Sequence, residues 1–98
     1  MSAYLTMIRH KAAVRTLLLL NGEVLYVETL VDELLDHSLS QCDRQQLAKK
    51  VYQDLKRLER DLKNLENYSE GRLQSNIDYV LQKVSNLKYW IELTSMAV

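Results

Sequence analysis

Four residues that could bind a metal ion or take part in catalysis lie close together near the middle of the chain: Asp36, His37, Cys42 and Asp43. Their spacing matches no C-x-x-C or H-x-x-x-H pattern, and the second histidine, His10, is far away in the sequence. A histidine near the end of a helix has a simpler role, because its positive form interacts favourably with the helix dipole. We therefore predict no metal site and no cofactor.

Motifs of the common catalytic sites are also missing from the sequence. It contains no G-x-S-x-G, no glycine-rich phosphate loop and no H-E-x-x-H. Acid pairs such as Glu59 and Glu66 fall on the solvated side of an amphipathic helix, where carboxylates normally do no chemistry. A small helical chain also offers no obvious concave pocket. We predict that the protein is not an enzyme.

Basic residues that could bind nucleic acid are concentrated between residues 44 and 63. Acidic residues alternate with them, and the formal net charge of the chain is zero. Such mixed charge is more typical of the solvated flank of a coiled coil than of a phosphate-binding surface. The basic set comprises Arg44, Lys49, Lys50, Lys56, Arg57, Arg60 and Lys63.

The run "SQCDRQQLAKKVYQDLKRLE" resembles the recognition-helix region of winged-helix transcription regulators. The preceding "AAVRTLLLLNGEVLYVETLVDELL" is similar to the two helices before it, so the resemblance covers residues 12–60. It implies DNA binding by the basic face of the third helix. That family continues into a two-stranded wing, whereas "LERDLKNLENYSEGRLQSNIDYVLQKV" keeps helical spacing. DNA binding is therefore the alternative function. The residues it would use are Arg44, Lys49, Lys50, Lys56, Arg57 and Arg60.

Composition favours a single all-α domain over the full 98 residues. The chain has no proline, only two glycines, and 47% apolar residues, whereas a sheet protein needs frequent tight turns. No run of 18 apolar residues is present, so we expect no membrane span. A lone cysteine suits a reducing compartment and predicts a cytoplasmic location. The basic, acid-free first 22 residues leave a mitochondrial presequence open.

Two shorter helices are predicted in the N-terminal half, over residues 3–20 and 23–37. Asn21-Gly22 separates them, because both residues tolerate the left-handed conformation that ends helices. Four leucines in succession, residues 17–20, point in every direction around a helix. They must be enclosed on several sides, by the bundle or by another chain. The predicted inner face of the first helix consists of Leu5, Ile8, Ala12 and Leu19, widened by Val14, Leu17, Leu18 and Leu20.

Two longer helices are predicted over residues 43–66 and 71–96. Each has apolar residues alternately three and four apart, from Ala48 to Leu65 and from Leu73 to Ile91. The register resets at residues 67–71, which predicts a long, coiled-coil-like antiparallel hairpin with the shorter helices packed on it. One unbroken helix is the competing arrangement, because a glycine inside a helix costs only about 1 kcal/mol. If the hairpin is correct, Gly71→Ala should be tolerated or mildly harmful.

The last predicted helix is apolar on more than one side. The side that does not face the third helix could be covered by the two N-terminal helices in a closed four-helix bundle. Alternatively, that side could bind a partner, since Trp and Tyr are enriched at binding hot spots. We predict a small protein–protein interaction module, such as an adaptor, chaperone, inhibitor or assembly subunit, that forms a homodimer or binds a helical partner. The predicted partner-binding residues are Leu81, Tyr89, Trp90, Leu93 and Met96.

Overall fold

The computed structural model describes residues 2–34 and 38–96, with side chains over 7–34 and 38–93. Three helices account for almost all of the described residues: α1 (Ser2–Leu34), α2 (Gln41–Glu66) and α3 (Gly71–Met96). The described ranges contain no β-strand, so the predicted all-α class is confirmed. The Cα atoms span 58 × 18 × 16 Å, the dimensions of a slender bundle.

The predicted division of the N-terminal half into helices 3–20 and 23–37 is wrong. α1 runs without a break through Asn21 and Gly22, and Gly22 does not adopt a positive φ. The buried side chains explain the continuity, because they keep a spacing of three and four across this point. Residues 35–37, the predicted end of the second helix, lie outside the described residues. The buried positions of α1 are Ala13, Leu17, Leu20, Val24, Val27, Leu30, Val31 and Leu34.

The free energies involved show why burial of apolar side chains overrides the local stop signal at Asn21-Gly22. A glycine in a helix interior costs about 1 kcal/mol relative to alanine. Burying one leucine or valine gains about 1.5–3 kcal/mol, and both Leu20 and Val24, on either side of Gly22, are buried. A break at Gly22 would turn one of these two side chains away from the core. The continuous helix is therefore the lower-energy arrangement.

The predicted inner face of α1 is only partly buried: Leu17 and Leu20 are buried, Val14 is half-buried and Leu18 is exposed. Ile8, Ala12 and Leu19 are exposed, and Leu5 lies outside the residues whose side chains are described. Residues 7–12 are all exposed, and Ala13 is the first buried side chain among those described in α1. Residues 7–12 therefore extend beyond the packed part of the bundle.

α2 begins with the predicted cap. The Ser40 side chain accepts a hydrogen bond of 3.1 Å from the backbone N–H of Asp43, which satisfies one of the free donors at the helix start. The apolar seam predicted for this helix is buried, apart from Ala48, which is half-buried. Its buried members are Val51, Leu55, Leu58, Leu62 and Leu65.

A four-residue turn, residues 67–70, separates α2 from α3, so the alternative of one unbroken helix is wrong. The Ser69 side chain is buried, and its hydroxyl donates a 2.8 Å hydrogen bond to the Leu65 carbonyl. That bond removes the cost of burying a polar group. Gly71 follows with φ +63°, a left-handed conformation that only glycine adopts without strain.

α3 packs on α2 with the opposite chain direction. The Tyr52 hydroxyl donates a 2.8 Å hydrogen bond to Glu92, and Lys88 lies 3.5 Å from Glu59. Residue numbers therefore rise along α2 as they fall along the facing part of α3. The apolar positions predicted for this helix are buried, except for Leu87, which is half-buried. They are Leu73, Ile77, Val80, Val84 and Ile91.

Gly71→Ala is expected to lower the free energy of unfolding by about 1–2 kcal/mol, because an L-residue pays that cost in the left-handed region. A Cβ at this position meets no atom within 4 Å, so the effect comes from the backbone alone. This expectation replaces the tolerance predicted from the sequence. Urea denaturation followed by circular dichroism measures it, and a change below about 0.3 kcal/mol would contradict it.

Candidate interaction surface

One side of α1 exposes large apolar side chains to solvent. They recur on the side of the helix opposite the buried positions, and Gly22 lies among them. Leu18 and Leu19 are 68% and 66% exposed, high values for adjacent leucines. Apolar patches of this kind on a folded domain mark interaction sites. We call this surface the α1 outer face; its apolar members are Met7, Ile8, Leu18, Leu19, Leu25 and Tyr26.

Charge changes sign along α1. Between residues 7 and 22 the charged side chains are Arg9, Lys11 and Arg15, with no acid. From Glu23 to Leu34 every charged side chain is acidic. Glu23 and Glu28 form ion pairs with the other helices, so the charged residues left on the outer side of α1 are Lys11 and Arg15 in its N-terminal half and Asp32 and Glu33 in its C-terminal half.

Two ion pairs join α1 to the other helices. Arg57 of α2 lies 2.8 Å from Glu23, and Lys83 of α3 lies 3.1 Å from Glu28. The hydrogen bond to Glu23 raises the pKa of Arg57. These side chains are a third to a half exposed, so each pair contributes about 0–1 kcal/mol. They therefore add little to the apolar burial that decides which side of α1 faces the bundle.

The partner-binding residues predicted on the last helix divide into two groups. Tyr89 and Leu93 are exposed. Leu81 and Trp90 are half-buried and pack against the core, so part of their apolar area already stabilises the bundle. The side chain of Met96 lies outside the described residues. A partner-binding role for this set stays a prediction.

The basic residues predicted as a DNA-binding face interact largely with neighbours in the same chain. Arg57 contacts Glu23 and also lies 3.6 Å from Asp61, and Arg60 lies 3.5 Å from the same carboxylate. The ammonium group of Lys56 is 4.9 Å from the centre of the Tyr52 ring. Binding to phosphate would compete with these contacts. Lys49 and Lys50 are exposed, and Arg44 is half-buried.

A polar network joins α2 to α3 beside their apolar seam. The hydrogen bond to the Glu92 carboxylate raises the pKa of Tyr52, with a smaller contribution from desolvation. Glu59 contacts both Lys63 and Lys88, each at 3.5 Å. All these groups are paired across or along the helices, so the network holds α2 and α3 together and presents no free reactive group.

A shallow, open depression of about 330 Å³ lies between α1 and the C-terminal end of α2. Because it is open to solvent, it would bury little of a bound small molecule, unlike the enclosed clefts that usually bind such ligands. The lining residues are Thr16, Leu20, Asp61, Asn64, Leu65 and Tyr68.

The predicted absence of a metal site concerns residues of which only some are described. Cys42 is exposed and forms no disulfide with any described residue, whereas Asp36 and His37 lie outside the described residues. Over ranges 2–34 and 38–96, no three His, Cys, Asp or Glu side chains are grouped as metal ligands would be. The described helices contain no stretch with the length and apolar character needed to cross a bilayer.

Comparisons with known proteins identify no related family, protein or structure. No protein-family model matches the chain, and neither a curated protein nor a solved structure is significantly similar to it.

Proposed function

We propose that this protein is a small non-enzymatic interaction module that binds an apolar helix of a protein partner on the α1 outer face. An adaptor, chaperone, inhibitor or assembly subunit would act in this way. The mechanism is burial of an apolar helical stripe against α1, with the charged flanks setting direction.

The adjacent exposed leucines at positions 18 and 19 carry the proposal. In a monomer they leave most of their apolar surface in water, and each would gain about 1.5–3 kcal/mol on full burial. The third helix of the bundle does not cover them, since α2 and α3 both pack on the other side of α1. A fourth helix, from another chain, would complete the enclosure that four consecutive leucines require.

DNA binding remains the second candidate, supported by the basic residues on α2 and by the resemblance of residues 12–60 to winged-helix regulators. Phosphate contacts give strongly salt-dependent affinity. A gel shift on random duplex at about 50 mM salt should therefore detect it. No shift at roughly 100 μM protein would eliminate this candidate.

The proposed function is tested by affinity capture with three baits: wild type, Leu19→Glu and Tyr79→Glu. Leu19 and Tyr79 have matched exposures of 66% and 67% but lie on α1 and α3. We expect proteins retained by wild type and by Tyr79→Glu to be lost from Leu19→Glu. Equal capture by all three baits, with circular dichroism showing all three folded, would rule out the α1 outer face as the docking surface.

A further inference from the structure

We propose that the partner on the α1 outer face is a second copy of this chain, with the two α1 helices crossing antiparallel about a two-fold axis at Gly22. This rests on the proposed function and deepens it by naming the partner. A two-fold interface must be self-complementary, so each residue on one side of the axis has to fit the residue at the same distance on the other side.

The apolar residues of the outer face meet this condition. Leu19 and Leu25 are each three residues from Gly22, and Leu18 and Tyr26 are each four residues from it. An antiparallel crossing at Gly22 places Leu19 beside Tyr26 of the second copy and Leu18 beside its Leu25, because each of these pairs lies on the same side of the contact line at nearly the same height. All four side chains are about half to two-thirds exposed in the single chain and are free to make these contacts.

Gly22 suits the crossing point. It lies inside a regular helix, and a Cβ built on it meets no atom within 4 Å. The bundle therefore has no internal need for glycine at this position, which costs α1 about 1 kcal/mol relative to alanine. At the axis of a helix pair, the absence of a side chain lets the two backbones approach closely, because interaxial distance depends on the side chains at the contact.

The charges fit the same register. Lys11 and Glu33 are each 11 residues, about three turns, from Gly22. Both are exposed and form no ion pair within the described residues. The crossing brings Lys11 of one copy opposite Glu33 of the other, and two-fold symmetry repeats the pair. Arg15, seven residues from the axis, faces Thr29. A parallel pair would instead place Lys11 beside Lys11.

The available area is sufficient for a dimer. A large side chain presents roughly 200 Å² when fully exposed, so the four central side chains expose roughly 500 Å² per chain. Two copies would bury about 1,000 Å² from these residues alone, which is the lower bound for a specific interface. The charged flanks add to this value.

Sedimentation velocity between about 1 and 100 μM protein tests the partner's identity. We expect a dimer for wild type and for Tyr79→Glu, and a monomer with unchanged circular dichroism for Leu19→Glu. A wild-type monomer at 100 μM would overturn the inference, and so would a dimer that survives Leu19→Glu. If wild type is monomeric while Leu19→Glu still abolishes affinity capture, the second copy is excluded and the proposed function stands.

Charge reversal tests the direction of the pairing. Lys11→Glu places two like-charged pairs in the dimer and should raise its Kd about tenfold or more. Adding Glu33→Lys should restore the wild-type value, because both pairs are then re-formed in reverse. An unchanged Kd in the single variant, or no recovery in the double variant, would contradict the antiparallel register.

Crosslinking tests the position of the axis. In a Cys42→Ser background, Gly22→Cys brings two thiols together across the axis, within the Cα separation of about 7 Å that a disulfide requires. With oxidised glutathione, we expect a dimer band on a non-reducing gel for Gly22→Cys and none for Tyr79→Cys. The reverse pattern would place the interface on α3.

Discussion

Leu62→Asp is expected to unfold the protein. Leu62 is 0% exposed in the centre of the α2 seam, so the variant buries a carboxylate with no partner or loses the packed core around it. Either outcome costs about 4 kcal/mol or more. That is a large part of the roughly 5–15 kcal/mol that stabilises a domain of this kind. Circular dichroism should show the loss of helix at 25 °C.

Leu19→Asp is the matched control, because it makes the same chemical change at an exposed position of α1. Its carboxylate stays in water, so the monomer should keep its helical spectrum and unfold cooperatively. A folded Leu62→Asp variant with a wild-type denaturation midpoint would show that the α2 seam is not buried.

Gly22→Pro is expected to lower the free energy of unfolding by about 3 kcal/mol. Proline removes one helical hydrogen bond and its ring clashes with the carbonyl of Leu18, one turn earlier. A helix that ended at Asn21 with Gly22 in the left-handed conformation would also be destabilised by proline, whose φ is fixed at about −65°. Urea denaturation at low micromolar protein, where association contributes little, measures this loss, and the alanine variant at the same position distinguishes one continuous helix from two.

Gly22→Ala is expected to raise the free energy of unfolding, the opposite of the change expected for Gly22→Pro. The added methyl group meets nothing within 4 Å, and alanine is the better helix former by about 1 kcal/mol. Urea denaturation at low micromolar protein should show a free energy of unfolding that is higher by about 0.5–1 kcal/mol. A loss in Gly22→Ala would indicate that the helix is interrupted at this glycine in the left-handed conformation.

The sequence predicted α2 and α3 well because their signals are redundant. Apolar residues alternate three and four apart, charged residues flank them, and Ser40 supplies a cap at the start of α2. The end of α2 was also readable, because the apolar register resets across the 67–70 turn. Each of these local patterns agrees with the packing that the structure shows, and such agreement makes helices readable from a single sequence.

The prediction for α1 was wrong because the local stop signal disagreed with the spacing of the apolar residues. Asn21-Gly22 favours a stop, whereas the spacing from Leu17 through Leu20 to Val24 continues one helix face. Four consecutive leucines also hid which side was inner, since they supply an apolar residue in every direction. Burial against α2 and α3 decides both questions, and that information belongs to the tertiary structure.

The candidate surface was foreseen only in outline. The sequence required that residues 17–20 be enclosed by the bundle or by another chain, and the structure buries Leu17 and Leu20 while exposing Leu18 and Leu19. The partner residues were instead predicted on α3. The symmetric spacing about Gly22 was present in the sequence, but a glycine interpreted as a helix end could not also be interpreted as a crossing point.

The projection of residues 7–12 beyond the packed bundle has a consequence for local unfolding. This segment buries no side chain, so its helical form depends on backbone hydrogen bonds and on its junction with the rest of α1. Isolated helices of this length are marginal in water. Its amide hydrogens should therefore exchange with solvent through local fraying, long before those near Leu20 and Val24, whose exchange requires opening of the core.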